Sequence, residues 1–380
     1  MVELAEIVRG AGPAYVHTHA GRLLSSQRRA LADIERCRTP ALGGSLYRCE
    51  DCGALDYRYD SCRNRHCPKC QDDRAEDWLD RVQQRLLPCE HYLLTFTLPH
   101  QLRAVARRHQ RVVYAALLRE AAAAVQAVAA DRAWVGGTLG ILAVLHTWSR
   151  TLEYHPHAHL LVTAGGLSAD RAAWVRPAHP RFLLPGYVLS RIFRAKMRAV
   201  LARAGVEQAV DPRVWQRRWT VHVQQIGTGH HAALYLSRYV YRVALTNQRL
   251  ERFTHGQVTF RYTRVRTHEA RSVTLPADAF LARFLQHVLP RGFTKIRWYG
   301  LLSPGRRKDR ARARHLLALC APPAPCPQPA NAEPFSETTR AARSETSTLL
   351  ITASVALRCP VCRRGHRILV QRYFPSRAPP

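Results

Sequence analysis

The residues best placed to do chemistry are three histidines spaced by two, His155, His157 and His159, in the stretch EYHPHAHLLVTAGG (153–166). In a β-strand successive side chains point to opposite faces. The three imidazoles then share one face, and Pro156, Ala158, Leu160 and Val162 form the other, which suits a core covered by helices. Same-face neighbours on a strand lie about 6–7 Å apart, from a rise near 3.3 Å per residue. Two adjacent imidazoles can therefore converge on one metal ion. The alternative for such a face is a solvated or aromatic-stacked polar strand.

A second cluster precedes it. In CRTPALGGSLYRCEDCGALDYRYDSCRNRHCPKCQ (37–71), Cys49-x2-Cys52 is followed 14 residues later by Cys67-x2-Cys70. A two-residue gap lets both thiolates of a pair face one point, so two pairs can supply the four corners of a tetrahedral zinc site. Gly53 fits the tight turn of a zinc knuckle. Cys37, Cys62 and His66 are nearby alternatives, or members of a second site. A buried or redox-active cysteine cluster is the competing reading. Arg48, Arg58, Arg63, Arg65 and Arg74 run through the block and suit contacts to DNA.

A nucleophile is available in LYLSRYVYRVALTNQRL (234–250). On a helix, Tyr235 and Tyr239 differ by only ~40° in direction, whereas Tyr241 falls about 200° from Tyr239. Arg238 and Arg242 lie alongside and could hold phosphates. Without a metal site beside them, the two tyrosines would read as packing residues.

These groups need a scaffold. Residues 1–36 read as mostly helical, and 71–87 as a helix ended by Pro88. HYLLTFTLP (91–99) reads as a strand, 101–130 as one long alanine-rich helix, and 138–148 and 154–166 as strands. A helix is expected over 187–205, a strand over 219–227, a helix over 230–245, and short strands with a helix over 257–300. This order implies an α+β fold, an antiparallel sheet with packed helices. The expected divisions are a cysteine-rich DNA-recognition region (1–88), a catalytic domain (89–315), a Pro- and Ser-rich linker (316–350) and a short tail (351–380) carrying CPVC. Trp148, Arg150 and Tyr154 either stack bases or belong to the core.

The net charge is +31, from 58 basic and 27 acidic residues, which points to a polyanionic partner, nucleic acid foremost. Codon bias can choose arginine over lysine, but it does not readily produce such a surplus. The 11 cysteines, clustered in pairs, favour metal over disulfides if the protein is cytoplasmic. The N-terminal residues lack a signal-peptide pattern. No GxxxxGK[ST] phosphate loop occurs.

Taken together, SCRNRHCPKCQ, LEYHPHAHLLVTAGG, YLSRYVYRVALTNQRL and FLQHVLPRGFTKIRWYGLLSP appear in an order that resembles the HUH-type rolling-circle transposases of the insertion sequence ninety-one family, over about residues 30–315. The resemblance implies an HUH endonuclease domain with an RRM-like palm. His157-Ala158-His159 would be the histidine–hydrophobe–histidine motif, and Tyr235 and Tyr239 the paired nucleophiles. His157 and His159 would hold Mg²⁺ or Mn²⁺, with His155 or Gln225 as candidate third ligand. The substrate would be single-stranded or melted DNA, cut through a 5′-phosphotyrosine link. A rolling-circle replication initiator uses the same chemistry, and a zinc-dependent DNA-binding protein without catalysis is the alternative from another class.

The charge alone generates one expectation. The logarithm of affinity for single-stranded DNA should fall with the logarithm of salt concentration, with a slope of about −0.7 per neutralised phosphate. A titration giving no slope between low and physiological salt would rule out a large phosphate footprint.

Overall fold

Strand alternation organises the architecture around the histidines. The structure is a computed structural model. It describes residues 2–70, 82–179, 181–228, 244–264, 267, 269–319 and 358–375. The expected helix over 230–245 falls almost wholly outside these residues, as do most of the expected helix over 71–87 and most of the linker. The chain divides into two units, Met1–Glu35 with Arg63–Ala321, and Arg36–Cys62 with Pro322–Pro380. The division thus runs through the cysteine block rather than after Pro88, and it groups the tail with residues 36–62.

The larger unit is built on an antiparallel sheet, as the order of elements predicts. Its strands are β3 (Glu90–Thr97), β4 (Thr138–Trp148), β5 (Tyr154–Leu167), β6 (Trp174–Val175), β7 (Val221–Thr228) and β11 (Ile296–Gly300), in the spatial order β11-β4-β5-β3-β7 with β6 also on β5. The smaller unit contains β1 (Gly44–Cys49), β2 (Leu55–Tyr59) and β12 (Arg367–Tyr373), ordered β12-β1-β2. A second sheet of the larger unit, β8 (Leu250–Thr254), β9 (Gln257–Thr263) and β10 (Ala270–Pro276), is a three-stranded meander.

One face of the large sheet is apolar throughout. Tyr92, Leu94 and Phe96 of β3, Ile141, Ala143 and Leu145 of β4, and Ala158, Leu160 and Val162 of β5 join one buried cluster with the helices Gln110–Ala129 and Gly186–Arg203. Helix Gln110–Ala129 is long and apolar enough to cross a membrane, yet most of its surface is buried inside this unit. The expected single helix over 101–130 is interrupted. A 3₁₀ turn (His100–Leu102) leads into Arg103–Arg108, and His109 leaves helical geometry at φ −118° and ψ 45° before the long helix begins.

The opposite face changes character along its length. Leu142, Val144 and Leu161 pack there with Val82, Leu86 and Leu302. Beyond them the same face carries His146, His157 and His159. The apolar face anchors the strands that present these imidazoles. Phe193 is fully buried on it, with its ring 5.0 Å from Phe96 and 5.4 Å from Trp219. Phe193→Ala should destabilise the chain by about 3–5 kcal/mol in urea unfolding, through lost burial and a residual cavity. A change near zero would mean that the helix does not pack on β3 as described.

Candidate active site

The histidine site is assembled by strand register. Antiparallel pairing sets His146 of β4 opposite His157 of β5, and Val144 opposite His159. On the other side of β5, Thr95 of β3 pairs with His159. A donor nitrogen from each of His146, His157 and His159 falls within 4.8 Å of the other two. The rings meet edge to face, with centroids 4.8 Å apart for His157 and His159, 5.3 Å for His146 and His157, and 4.8 Å for His146 and His159.

His155 does not join them, contrary to its expected part as a ligand. Its Nδ1 accepts a hydrogen bond of 2.9 Å from the guanidinium of Arg103. Gln225 is also directed elsewhere, to the carboxylate of Glu90. His146 takes the third position, which spacing along one strand does not reveal. The available signal was a histidine within the apolar run ILAVLHTW (141–148), where a polar residue needs a reason.

Hydrogen bonds orient two of these rings. Nδ1 of His157 donates to the carbonyl of His155 at 2.7 Å, leaving the Nε2 lone pair free. Nδ1 of His159 lies 3.0 Å from the Thr95 hydroxyl, which fixes the orientation of the ring. Burial lowers the pKa of His157 to about 4, despite its bond to the His155 carbonyl. Burial, then the neighbouring His157, lowers that of His159 to about 3. Both are neutral at pH 7, the form that binds a cation. Three imidazoles are a borderline donor set, better suited to Mn²⁺ or a later divalent ion than to Mg²⁺, which prefers oxygen.

The cluster forms the floor of a cavity of about 620 Å³. Its rim includes Trp148, Arg150, Gln248, Arg249, Arg261 and Tyr262. Trp148 stacks on His146, with centroids 4.7 Å apart and planes at 23°. Arg150 donates to the carbonyl of Thr263 at 2.7 Å. Arg249 donates to the carbonyls of Arg150 at 2.6 Å and Arg261 at 2.8 Å. These bonds fix the meander edge beside the histidines. Tyr154 resolves as core: it is buried, and its hydroxyl lies 2.5 Å from that of Tyr114. Tyr235, Tyr239, Tyr241, Arg238 and Arg242 lie outside the described residues.

The cysteines are arranged differently from the expected set of Cys49, Cys52, Cys67 and Cys70. Within the smaller unit, Cys49 and Cys52 are joined by Cys359 and Cys362, with all four sulfurs within 4.8 Å of one another. Four thiols complete a tetrahedron, so no corner remains for Cys67 or Cys70, which are buried in the larger unit. Cys37 is buried and Cys62 half-buried, near the two ends of segment 36–62. His66 has another use: its Nε2 accepts from the backbone N–H of Leu289 at 3.2 Å, and burial pushes its pKa down to about 3. Arg65, expected to contact DNA, instead donates to the carbonyls of Phe293 and Pro290, and burial lowers its pKa. Arg63 is exposed in the left-handed region, at φ 53°.

Comparison with known proteins gives consistent matches. Residues 7–98 match the family described as "Transposase zinc-binding domain", and residues 140–310 the family described as "Putative transposase". The chain is 35% identical over 400 residues to "Putative transposase y4qJ" of Sinorhizobium fredii (strain NBRC 101917 / NGR234), covering 100% of this chain and 97% of the relative. It is 30% identical over 288 residues to the "Transposase for insertion sequence element IS801" of Pseudomonas savastanoi pv. phaseolicola, covering 70% of this chain and 68% of the relative. No solved structure matches the chain.

The depressed pKa values set an expected pH dependence for metal uptake. Protonation competes with a cation for the same nitrogen, and an ordinary imidazole, near 6.5, is about nine-tenths protonated at pH 5.5. With His157 at about 4 and His159 at about 3, proton competition at these two rings should lower Mn²⁺ affinity, followed by electron paramagnetic resonance, by less than about twofold between pH 7.5 and pH 5.5. His146→Ala should lower it by about tenfold or more. Unchanged affinity in that variant would exclude His146 from the site.

Proposed function

Because this chain belongs to the insertion sequence ninety-one family of transposases, we propose that it nicks and rejoins single-stranded DNA in the cytoplasm through a metal-assisted tyrosine nucleophile, in rolling-circle fashion. The observation that carries this reading is the trio of imidazoles on the floor of a cavity rimmed by arginine and aromatic side chains. His146, His157 and His159 would hold Mn²⁺ or Mg²⁺. Such an ion, when bound, polarises a scissile phosphate and offsets charge as the transition state forms. Arg150 and Arg261 would hold the flanking phosphates, and Trp148 and Tyr262 would stack unpaired bases. Residues 89–315 would form the catalytic part. The cysteine-rich region within 1–88, stabilised by zinc, would recognise element ends through exposed Arg48, Arg58 and Arg63.

Chain connectivity supports Tyr235 and Tyr239 as nucleophiles. Pairing of β3 with both β5 and β7 sets the start of β7 at the histidine end of the sheet and Thr228 at the other. The chain is described again from Ala244, and Gln248 and Arg249 lie on the cavity rim; Tyr235 and Tyr239 fall between Thr228 and these rim residues in sequence. Attack by a phenolic oxygen on phosphorus, in line with the 3′ oxygen, forms the O–P bond and breaks the P–O3′ bond. The 5′ end is left on tyrosine, and the phenolic proton is balanced by one on the released 3′-OH. The covalent link conserves the bond energy for rejoining, and a second tyrosine allows a second cut while the first end is held.

Single-stranded DNA carrying the element end, incubated with the chain and Mn²⁺, should yield a covalent protein–DNA adduct. The double variant Tyr235→Phe, Tyr239→Phe should bind the strand and form no adduct. Tyr241→Phe should behave close to wild type, since its side chain would face away from the other two. An adduct peptide mapped to Tyr241 would overturn the assignment, and DNA binding without any adduct would favour a non-catalytic binding protein.

A further inference from the structure

The smaller unit brings four thiols together, two of them from the tail. We propose that the C-terminal tail supplies half of a structural zinc site, in which Cys359 and Cys362 complete a tetrahedron of thiolates with Cys49 and Cys52.

The sulfur geometry supports a metal. Sγ of Cys49 lies 3.7 Å from that of Cys362, and Sγ of Cys52 lies 3.7 Å from that of Cys359. A tetrahedron with zinc–sulfur bonds of ~2.3 Å has edges of about 3.8 Å, so these separations match two of its edges. A disulfide would require about 2.05 Å.

The two halves also share a backbone design. In the first knuckle, Gly53 adopts φ 69° and its N–H donates to the carbonyl of Cys49 at 3.1 Å. In the second, Arg363 adopts φ 59° and its N–H donates to the carbonyl of Cys359 at 3.0 Å. Each CxxC is thus closed by a residue in the left-handed region. Backbone N–H groups also point at sulfur, from Val361 to Cys359 and from Gly365 to Cys362, at 3.4 Å each. Such bonds stabilise thiolates, the form that binds zinc. The approach is tight: a Cβ on Gly365 would meet Sγ of Cys49 at 2.5 Å.

The strands on either side make the pairing specific. β12 follows the second knuckle and pairs antiparallel with β1, from Gly44 opposite Tyr373 to Cys49 opposite Arg367. The N–H of Glu50 donates to the carbonyl of His366 at 3.0 Å. The Arg367 side chain is buried, and its guanidinium lies 2.5 Å from the Asp56 carboxylate.

The need for a metal follows from what is missing. Among the described residues of the smaller unit, the buried apolar side chains are Leu46 and the cysteines Cys37, Cys49 and Cys359. Leu55, Tyr57, Tyr59, Leu369 and Val370 are exposed. A two-stranded hairpin is marginal in water, and a unit this small without an apolar core needs a staple. Zinc coordination supplies it, because binding free energy in such modules is folding free energy. The cysteine block alone therefore holds only two of this ion's ligands, and the tail has to return to it.

The test uses the full chain purified under reducing conditions. Zinc measured by native mass spectrometry should fall by one ion per chain in Cys359→Ser, Cys362→Ser, and remain at the wild-type count in Cys359→His, which keeps a ligand. In the wild-type protein, Cys49, Cys52, Cys359 and Cys362 should resist alkylation together and become reactive together when a chelator removes zinc. An unchanged zinc count in the serine variant, or rapid labelling of Cys359 and Cys362 while zinc stays bound, would overturn the proposal.

Discussion

The pairing register of β5 is the constraint on which the histidine site depends. This strand lies between β4 and β3, and is buried on both faces for most of its length. A slip of one residue would turn Ala158 and Leu160 toward the cavity and drive His157 and His159 into the apolar cluster. Burying two imidazoles there without partners would cost several kcal/mol. The hydrophobic pattern on the helix side thus fixes chemistry on the opposite side. Nor can His146 meet His157 by any local interaction: the pairing of β4 with β5 brings them together.

This explains what was legible beforehand. Alternation within one strand revealed His157, His159 and the Ala158-Leu160-Val162 core face, because that information is local. The α+β class followed from the order of elements for the same reason. His146 was missed because a cross-strand partner depends on register, which one strand does not encode. The division of cysteines was missed for a stronger version of this reason. Cys49 and Cys362 are 313 positions apart, and a local rule pairs the two nearest CxxC motifs. Arg65 looked like a surface cation by composition, yet its guanidinium caps two backbone carbonyls.

Arginine has two duties in this chain, which changes how the charge of +31 reads. Arg65, Arg111, Arg194 and Arg249 all donate to backbone carbonyls of loops or strand ends. A planar guanidinium with five donors can do this where lysine cannot match the geometry. Arg65, His66, His287 and Lys295 also line a small enclosed cavity beside Trp148. Burial, then Arg65, lowers Lys295 to about 8, and burial lowers His287 to about 4. Part of the positive charge therefore serves the fold. The charge facing DNA is smaller than the sequence total, though still large.

The two sites differ in donor chemistry, and that difference can sort metals. Four thiolates form a closed, soft set with no position left for substrate, as structural zinc prefers. Three imidazoles leave coordination positions open toward an aqueous cavity. Nitrogen donors bind zinc as well, so affinity alone would not keep zinc out. Openness and hydration act in the other direction: an ion with several exchangeable positions can accept phosphate oxygens, and it is readily replaced when another ion is abundant. Burial assists by keeping His157 and His159 neutral, so that the donors are available without first losing protons. On the proposed reading, one chain would keep one metal as a fixed part of its fold and exchange another at the histidine cavity.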